Sequence, residues 1–252
     1  MSGEELLAPG TRVWHSPRES ERFGFSLSRL TIGPGAVEPA GLLQAIEALD
    51  SEIVVVRFDA SRSELPGLLA RGRRVCLAAG ALTYWEKALD GRISDPRVVT
   101  GVGLDPVLVR DLVRSSFAGY ANHYTINPLL DGADALEGYE EWALTSLAAD
   151  PTSVLVLTVG GTPLGVATLK ISDNEAEILL AGLVPKAQGR RLYDVLLAGC
   201  EHRAAVAGAT RLIISTQVHN VRVQRAWARN GLRPFGALET VHLVNRDLLT
   251  SS

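Results

Sequence analysis

The sequence has little cysteine and no strong excess of charge of either sign. Its 252 residues include two cysteines, Cys76 and Cys200, too far apart in the chain to suggest a disulfide framework or a metal site. A chain of this kind fits a reducing, cytoplasmic setting, and we expect no metal. Lysine and arginine total 25 against 28 aspartates and glutamates, a net charge of −3, so nothing indicates a nucleic-acid partner. Any anion-binding site must come from local placement of arginines.

The sequence also lacks the patterns typical of a secreted or membrane-bound chain. The start "MSGEELLAPGTRV" has no basic segment followed by a long apolar one, so no signal peptide is expected. The uncharged stretch 151–169, "PTSVLVLTVGGTPLGVATL", is nearly long enough to span a bilayer. Its central "GGTP" separates two β-rich runs, however, and this predicts a β-hairpin. We therefore expect no membrane partner.

Hydrophobic periodicity predicts a mixed α/β chain. In the first hundred residues, 52–58 predicts a strand, 63–72 a helix and 74–85 one or two strands. The segment 90–105 is rich in Gly, Pro and Asp and predicts a linker. The elements predicted beyond it are helices over 106–120 and 134–149, the hairpin, a strand over 176–184, a helix ending near Gly208, a strand over 211–216, a helix over 221–230 and a strand over 237–244.

A faint internal echo relates the two parts of the chain. A shift of 159 residues places "VVVRF" on "IISTQ", Gly72 on Gly231 and Arg74 on Arg233. In both places eleven residues separate a polar start, Ser61 or Asn220, from the glycine that ends the helix. So few identities also arise by chance, and the echo is a hint of two related halves.

Two segments near the end of the chain carry a recognisable pattern. "VPKAQGRRLYDVLL" (184–197) joins a strand to a helix through a polar turn in which Gly189 is the only glycine. One strand later, "STQVHN" places Asn220 before the helix "VRVQRAWARNGL". These segments resemble the two signatures of the GNAT superfamily of acyl-CoA-dependent N-acyltransferases. Gln188 holds the first position of the loop signature, whereas Arg191 and Tyr193 stand where glycine or alanine belongs. The residues that match the second signature in spacing are Asn220, Val223, Trp227, Gly231 and Leu232.

The resemblance implies a fold and a division of the chain. The fold is α/β (α+β), with a GNAT-like mixed central sheet flanked by helices. Residues 1–100 would form a smaller, incomplete GNAT-like N-terminal half, and residues 101–252 the acyl-CoA-binding catalytic domain. Within the superfamily, "RESERFGFSLSRL" (18–30) and "TQVHN" resemble the two-part sugar-nucleotide N-acetyltransferases of the TDP-fucosamine acetyltransferase type.

The resemblance also implies an activity. The protein would transfer an acetyl group from acetyl-CoA to a primary amine, that of an amino sugar in a nucleotide-sugar, by direct attack. Two alternatives stay open: a small amine or amino acid as the acceptor, or a CoA- or partner-binding module without catalysis. The expected partners are the small-molecule amine and acetyl-CoA, and a homodimer is a further candidate assembly.

For the CoA site, the resemblance implies contacts from the strand, the turn and the next helix. A pyrophosphate is anionic, and a helix N-terminus offers unpaired N–H groups and the positive end of a dipole. The predicted residues are Leu183, Val184, Gln188, Gly189, Arg190, Arg191, Leu192, Tyr193 and Asn220. The alternatives are solvated arginines in the turn, an ordinary buried strand, and Asn220 as a plain helix cap.

For catalysis, the family often has a tyrosine as general acid in the second signature, where this chain has Trp227. Tryptophan cannot donate an acidic proton. A thiol with a reference pKa of about 8.5 leaves tolerably as thiolate, so no dedicated acid is required. Tyr193 is the candidate substitute for this acid. The candidate bases are His123, His219, His242, Glu175 and Glu177. His123 and then His219 are the predicted ones, although His219 could equally face solvent.

The acceptor pocket is predicted in "GYANHYTINPLLD" (119–131), because the segment that joins the first two helices lines this pocket in the superfamily. Its aromatic and polar side chains can stack on a sugar or base and bond hydroxyl groups. The predicted substrate-binding residues are Tyr120, Tyr124, Asn127 and His242. The alternative is a polar cap that packs on the core, with His242 as a structural histidine.

Overall fold

The computed structural model describes residues 10–33, 35, 38–89, 91 and 95–250. Four positions of the predicted linker, 90 and 92–94, lie outside the described residues. In chain order the helices and strands are β1 (Thr11–His15), α1 (Pro17–Phe23), β2 (Leu27–Ile32), α2 (Pro39–Glu47), β3 (Ile53–Asp59), α3 (Leu65–Leu69), β4 (Val75–Ala88), β5 (Val98–Thr100), α4 (Pro106–Phe117), α5 (Gly132–Ala149), β6 (Val154–Val159), β7 (Thr162–Ser172), β8 (Glu175–Leu183), α6 (Leu192–Val206), β9 (Arg211–Gln217), α7 (Val221–Arg229), β10 (Arg233–Val244) and α8 (Arg246–Thr250).

The chain folds into two compact units that interleave in sequence. Unit I comprises Tyr84–Tyr120 and Leu136–Phe235. Unit II comprises Ser2–Thr83, Ala121–Ala135 and Gly236–Ser252. β4 and β10 each run from one unit into the other. The units therefore differ from the consecutive segments 1–100 and 101–252 that the sequence suggested.

Unit I is a mixed sheet in the order β4-β9-β8-β7-β6-β5 with helices packed on it. The predicted hairpin is present: β6 and β7 are antiparallel, and their turn contains Gly160 at φ 58° and Gly161 at φ 76°. No helix in the described part of the chain is long and apolar enough to cross a membrane. The predicted linker contains the short strand β5, which pairs with β6.

Close packing fixes the helices of unit I on this sheet. A Cβ at Gly199 of α6 would lie 2.5 Å from Cγ1 of Val98, so the helix packs this closely on the Val98 side chain of β5 only because residue 199 is glycine. The buried core joins β6, β7 and β8 to α4 and α6, with Val156, Val166 and Leu196 fully enclosed. Burial of apolar side chains at about 25 cal/mol per Å² supplies the main stabilisation of such a core.

Unit II is a sheet in the order β1-β2-β3-β10-β4. β2 and β3 run parallel, and β3 pairs antiparallel with β10. One apolar cluster joins β2 and β3 to α2 and α3, and a second joins α1 to the segment around Leu130.

The internal echo has a partial counterpart in the element order. In each half a parallel pair of strands, β2–β3 or β8–β9, leads through a short helix to a long strand. The two glycines of the echo differ in conformation, however. Gly231 adopts a positive φ of 82°, whereas Gly72 has no positive φ. At Gly72 glycine is favoured by lack of space, because a Cβ there would lie 2.9 Å from Oε1 of Glu47. That the two halves share an origin stays a prediction.

Candidate functional site

The parallel strands β8 and β9 pair over only part of their length. Their pairs run from Glu175–Arg211 to Ile178–Ile214. On the other side, β7 stays paired with β8 as far as Gly165–Leu183. Within the part of the chain that the structure describes, residues 179–183 of β8 thus have no β9 partner, and the two strands open into a wedge. An open backbone edge of this kind can bind an extended ligand as an added strand would.

The equivalent pair in unit II is closed. β2 pairs with β3 along its whole length, from Leu27–Ile53 to Ile32–Phe58. The wedge between β8 and β9 therefore distinguishes unit I as the unit with an open edge for a ligand.

The turn after β8 brings backbone donors to the mouth of this wedge. Leu183 and Val184 are buried, and the side-chain Nε2 of Gln188 donates to the carbonyl oxygen of Leu183 at 3.2 Å. Gly189 at φ 77° and Arg191 at φ 57° both adopt the left-handed conformation. α6 then begins at Leu192, and Arg191 makes no side-chain cap. The first N–H groups of a helix have no partner within it, so this helix start favours an anion.

An arginine from α7 also reaches this turn. Nη1 of Arg222 donates to Oε1 of Gln188 at 3.1 Å, and its Nη2 lies 4.0 Å from the position that a Cβ on Gly189 would take. Arg190 and Arg191 are exposed beside it. Arg222 is not among the CoA-binding residues predicted from the sequence. No local pattern reveals its position, since the contact joins residues that are 34 apart in the chain.

Asn220 precedes α7, but its side chain does not cap the helix. Its Nδ2 donates instead to Oγ1 of Thr216 at 3.0 Å, near the end of β9. The alternative interpretation of Asn220 as a plain side-chain cap is therefore not observed.

Tyr193 and Trp227 form a hydrogen-bonded pair inside unit I. Nε1 of Trp227 donates to the hydroxyl of Tyr193 at 3.2 Å, and the indole meets Trp85 edge to face at 6.0 Å. Trp227 is only 1% exposed. Burial raises the pKa of Tyr193 far above its ordinary value. Trp227 is thus a core residue with its single donor already used.

Tyr120 lies in unit I at the end of β9. Its hydroxyl oxygen is 3.2 Å from Oγ1 of Thr216 and accepts the backbone N–H of Gln217 at 3.4 Å. Its ring meets Phe117 and Tyr139 edge to face, at 6.0 and 6.1 Å. Tyr120 and Asn220, predicted from distant segments, therefore share Thr216 as a partner.

Three other predicted residues form a buried chain of hydrogen bonds in unit II. Oδ1 of Asn127 accepts the N–H of Leu129, which directs Nδ2 of Asn127 to Nδ1 of His242 at 3.2 Å. Nε2 of His242 lies 2.9 Å from Nδ1 of His123. If the amide donates to His242, then His242 must carry its proton on Nε2 and donate to His123, which keeps its own proton on Nε2.

Burial sets the charge of these two imidazoles. His123 and His242 are 1% and 0% exposed. Desolvation, with the nearby guanidinium groups of Arg57 and Arg29, lowers the pKa of His123 well below its usual value and that of His242 to about 3. Both rings are neutral near pH 7. In this arrangement the remaining ring nitrogen of His123 presents an N–H rather than a lone pair, and it is buried without a hydrogen-bond partner among the described residues.

The remaining predicted residues take different positions. Tyr124 packs against His123 with ring centroids 3.8 Å apart and ring planes tilted by 40°. Its hydroxyl bonds to Glu19 and accepts from Arg29 at 2.6 Å. His219 is exposed in the turn between β9 and α7. The two predicted bases, His123 and His219, lie in different units.

Comparison with known proteins places this geometry in a family. Residues 116–232 match the model of the Acetyltransferase (GNAT) family. The segment 116–232 is a GNAT domain. It holds the wedge, the turn and both signature segments. GNAT enzymes use acetyl-CoA as acyl donor, so the segment is an acetyl-CoA-dependent N-acetyltransferase domain.

Solved structures show the same fold over most of the chain. A GCN5-related N-acetyltransferase from Sphaerobacter thermophilus is 14% identical with a TM-score of 0.63, over 94% of this chain and 77% of that one. A tandem GNAT protein from the clavulanic acid biosynthesis pathway, solved without acetyl-CoA, is 14% identical with a TM-score of 0.55, over 96% and 86%. The glucosamine N-acetyltransferase region of a fungal multi-domain GH3 beta-N-acetylglucosaminidase is 10% identical with a TM-score of 0.59, over 92% and 31%. No curated protein sequence matches the chain.

Proposed function

We propose that this protein acetylates the primary amine of an amino sugar carried on a nucleotide, by direct attack of the amine on acetyl-CoA. The observation that carries the proposal is the open edge of β8 at residues 179–183, which leads directly into a left-handed turn and a helix start. This combination offers one ligand both a strand-like backbone edge and a group of N–H donors. CoA has a matching chemistry, with an amide-containing arm followed by a pyrophosphate.

The residues present fit acetyl-CoA. In the proposal, the backbone of Leu183 and Val184 binds the pantetheine arm. The pyrophosphate lies against the N–H groups from Gly189 to Tyr193, and the exposed guanidinium groups of Arg190, Arg191 and Arg222 add charge. Guanidinium groups form strong charge-assisted bonds to phosphate. Asn220, with Nδ2 held by Thr216, would bind an amide of the pantetheine arm.

When bound, acetyl-CoA supplies an activated thioester. A backbone N–H of the open β8 edge polarises the carbonyl as it becomes an oxyanion, a contribution worth about 10²- to 10³-fold where a single such donor has been removed. The amine must reach the carbonyl in its neutral form. His219 is exposed in unit I and stays the proposed base, whereas His123 in its described tautomer presents an N–H within unit II. Because His123 is buried and presents an N–H, it is not proposed as the base.

The amino-sugar acceptor rests on chemistry and resemblance. Tyr120, half-buried in unit I, offers an aromatic face and a hydroxyl group, which suits a ring with several hydroxyls. The resemblance of the chain to two-part sugar-nucleotide acetyltransferases supports the same class. The fungal neighbour is a glucosamine N-acetyltransferase region, and that statement concerns the neighbour.

Two measurements test the proposal in sequence. Acetyl-CoA should raise the melting temperature of the protein, because a ligand that binds only the folded state stabilises it. Thiol release with TDP- and UDP-amino sugars, simple amines and amino acids then identifies the acceptor. A thermal shift with no thiol release from any amine would support the non-catalytic alternative, and release with simple amines alone would support the small-amine alternative.

Two further parts of the proposal concern the setting of the enzyme. We propose a cytoplasmic location, for which both cysteines being free thiols is the support. We also propose a homodimer, which sedimentation at several protein concentrations would test: a single monomeric mass at all concentrations would contradict it.

A further inference from the structure

The corner that follows α4 lies across the open wedge of unit I. On one side, a Cβ at Gly182 of β8 would stand 3.0 Å from Cε2 of Phe117, so this ring lies directly on the β8 backbone. On the other side, the hydroxyl of Tyr120 meets Thr216 and Gln217 of β9. All of these contacts lie beyond the last β8–β9 pair, Ile178–Ile214. The corner therefore reaches both strands where they have separated.

Backbone geometry fixes Tyr120 in this position. Its N–H donates to the carbonyl oxygen of Phe117 at 2.9 Å, and the intervening Gly119 adopts φ 74°, which glycine tolerates without strain. Tyr120 itself is half-buried, and Phe117 stacks on Tyr139 with centroids 5.4 Å apart.

The hydrogen bonds of the Tyr120 hydroxyl allow it to donate its phenol proton to a further group. Gln217 donates its N–H to the phenol oxygen, and Thr216 can donate its hydroxyl to it while accepting from Asn220. A phenol that accepts two hydrogen bonds can give its own proton to a third group. The same two donors then stabilise the phenolate that is left.

We propose that Tyr120 is a catalytic residue that donates this proton to the sulfur of CoA as the thioester breaks. The proposal rests on the acetyl transfer described above. The amine nitrogen forms a bond to the carbonyl carbon, and the C–S bond breaks. The departing sulfur takes the phenol proton, the amine releases a proton to water, and the phenolate regains one from water.

Other side chains near the signature segments are less suited to this role. Trp227 has no acidic proton, and its N–H already bonds to Tyr193. The phenol of Tyr193 is enclosed, and burial disfavours the phenolate that proton donation would leave. In the described part of unit I, Tyr120 combines a phenol with two donors at the open end of β9.

The test compares Tyr120→Phe with wild type. We expect kcat for acetyl transfer to fall about 10²- to 10⁴-fold, the usual contribution of an acid or base. The dissociation constant for acetyl-CoA, measured by calorimetry, should change less than about threefold. An unchanged kcat, or a fall matched by equally weakened acetyl-CoA binding, would overturn the proposal.

Tyr139→Phe is the matched control, because it removes a hydroxyl from the same aromatic cluster. It should retain kcat within about threefold. A comparable loss in both variants would assign Tyr120 a packing role and reject the proposal. A wild-type protein that binds acetyl-CoA and acetylates no amine would end both proposals, whereas equal turnover of wild type and Tyr120→Phe would end this one alone.

Discussion

Asn127 donates a side-chain N–H to Nδ1 of His242 at 3.2 Å, and this one bond sets the direction of a buried chain. Because His242 accepts at Nδ1, it must donate from Nε2 to His123. The amide itself is oriented by the backbone N–H of Leu129. The protonation states of two neutral imidazoles thus follow from the position of one amide.

Asn127→Leu should destabilise the protein by about 2–4 kcal/mol. The change leaves the N–H of Leu129 and a lone pair of His242 without partners, and each buried orphan costs about 1–3 kcal/mol. Urea unfolding at pH 7.5 measures the loss. Ile126→Ala is the control next to it, because Ile126 is 49% exposed and its truncation should cost no more than about 0.5 kcal/mol. Equal losses in the two variants would contradict the hydrogen-bonded chain.

Stability should decrease as the pH falls below about 6.5. Burial holds the pKa of His242 at about 3 and that of His123 well below 6.5, whereas both titrate near 6.5 in the unfolded chain. Between these pKa values the unfolded chain binds protons that the folded protein does not. The free energy of unfolding therefore decreases as the pH falls through this range. From pH 7.5 to 5, His242 should contribute a loss of about 2 kcal/mol, and His123 a loss in the same direction.

His123→Phe separates this effect from the general acid sensitivity of the protein. Removal of one titrating ring should flatten the slope of unfolding free energy against pH between 6.5 and 5. His219→Ala serves as the control, since His219 is exposed. A slope that both variants leave unchanged would show that the buried rings do not set the pH dependence.

Local signals in the sequence were enough for much of unit I. The hairpin β6–β7 was predicted from "GGTP", because paired glycines supply the positive φ angles of the turn. The first fifty residues gave little signal for β1, whose five residues are all exposed and so show no alternation of burial. The interleaved units could not be predicted either, since the placement of β4 and β10 depends on contacts between distant segments.

The same division holds for the candidate site. The turn at Gly189 could be located, because a strand, a polar turn and a helix start are consecutive in the chain. The bond from Arg222 to Gln188 and the pair His123–His242 could not, because the latter joins residues 119 apart. Side chains brought together by the fold leave no periodic pattern in the sequence.

Gly189→Ala and Arg191→Gly should change stability in opposite directions. Both positions are left-handed, a conformation that costs a residue with a side chain about 1–2 kcal/mol. Gly189→Ala should therefore lower the free energy of unfolding, and Arg191→Gly should raise it. Thermal unfolding without ligand measures both effects. If neither substitution changes the free energy of unfolding, the turn is not held in this conformation.

Both substitutions should also weaken acetyl-CoA binding, which is measured separately from their effects on stability. Gly189→Ala distorts the turn that presents the N–H donors, and Arg191→Gly removes a charge beside the proposed pyrophosphate. Each should weaken acetyl-CoA binding about tenfold, in line with loss of one charge-assisted bond. The Arg191→Gly loss should shrink at high salt, because exposed charges are screened. A variant of Arg191 that binds as tightly as wild type would exclude it from the site.

Trp227→Phe should lower stability and leave turnover within about a few-fold. The indole is buried against Trp85 and donates to Tyr193, so the smaller ring leaves a void and an unpaired phenol. Together these should cost about 1–3 kcal/mol in urea unfolding. Steady-state thiol release measures kcat under conditions where the variant is folded. Trp227→Tyr, which restores the phenol common in the family, should not exceed wild-type turnover, because Tyr120 already supplies the proton. A loss of several orders of magnitude in Trp227→Phe would place the indole in the chemistry itself.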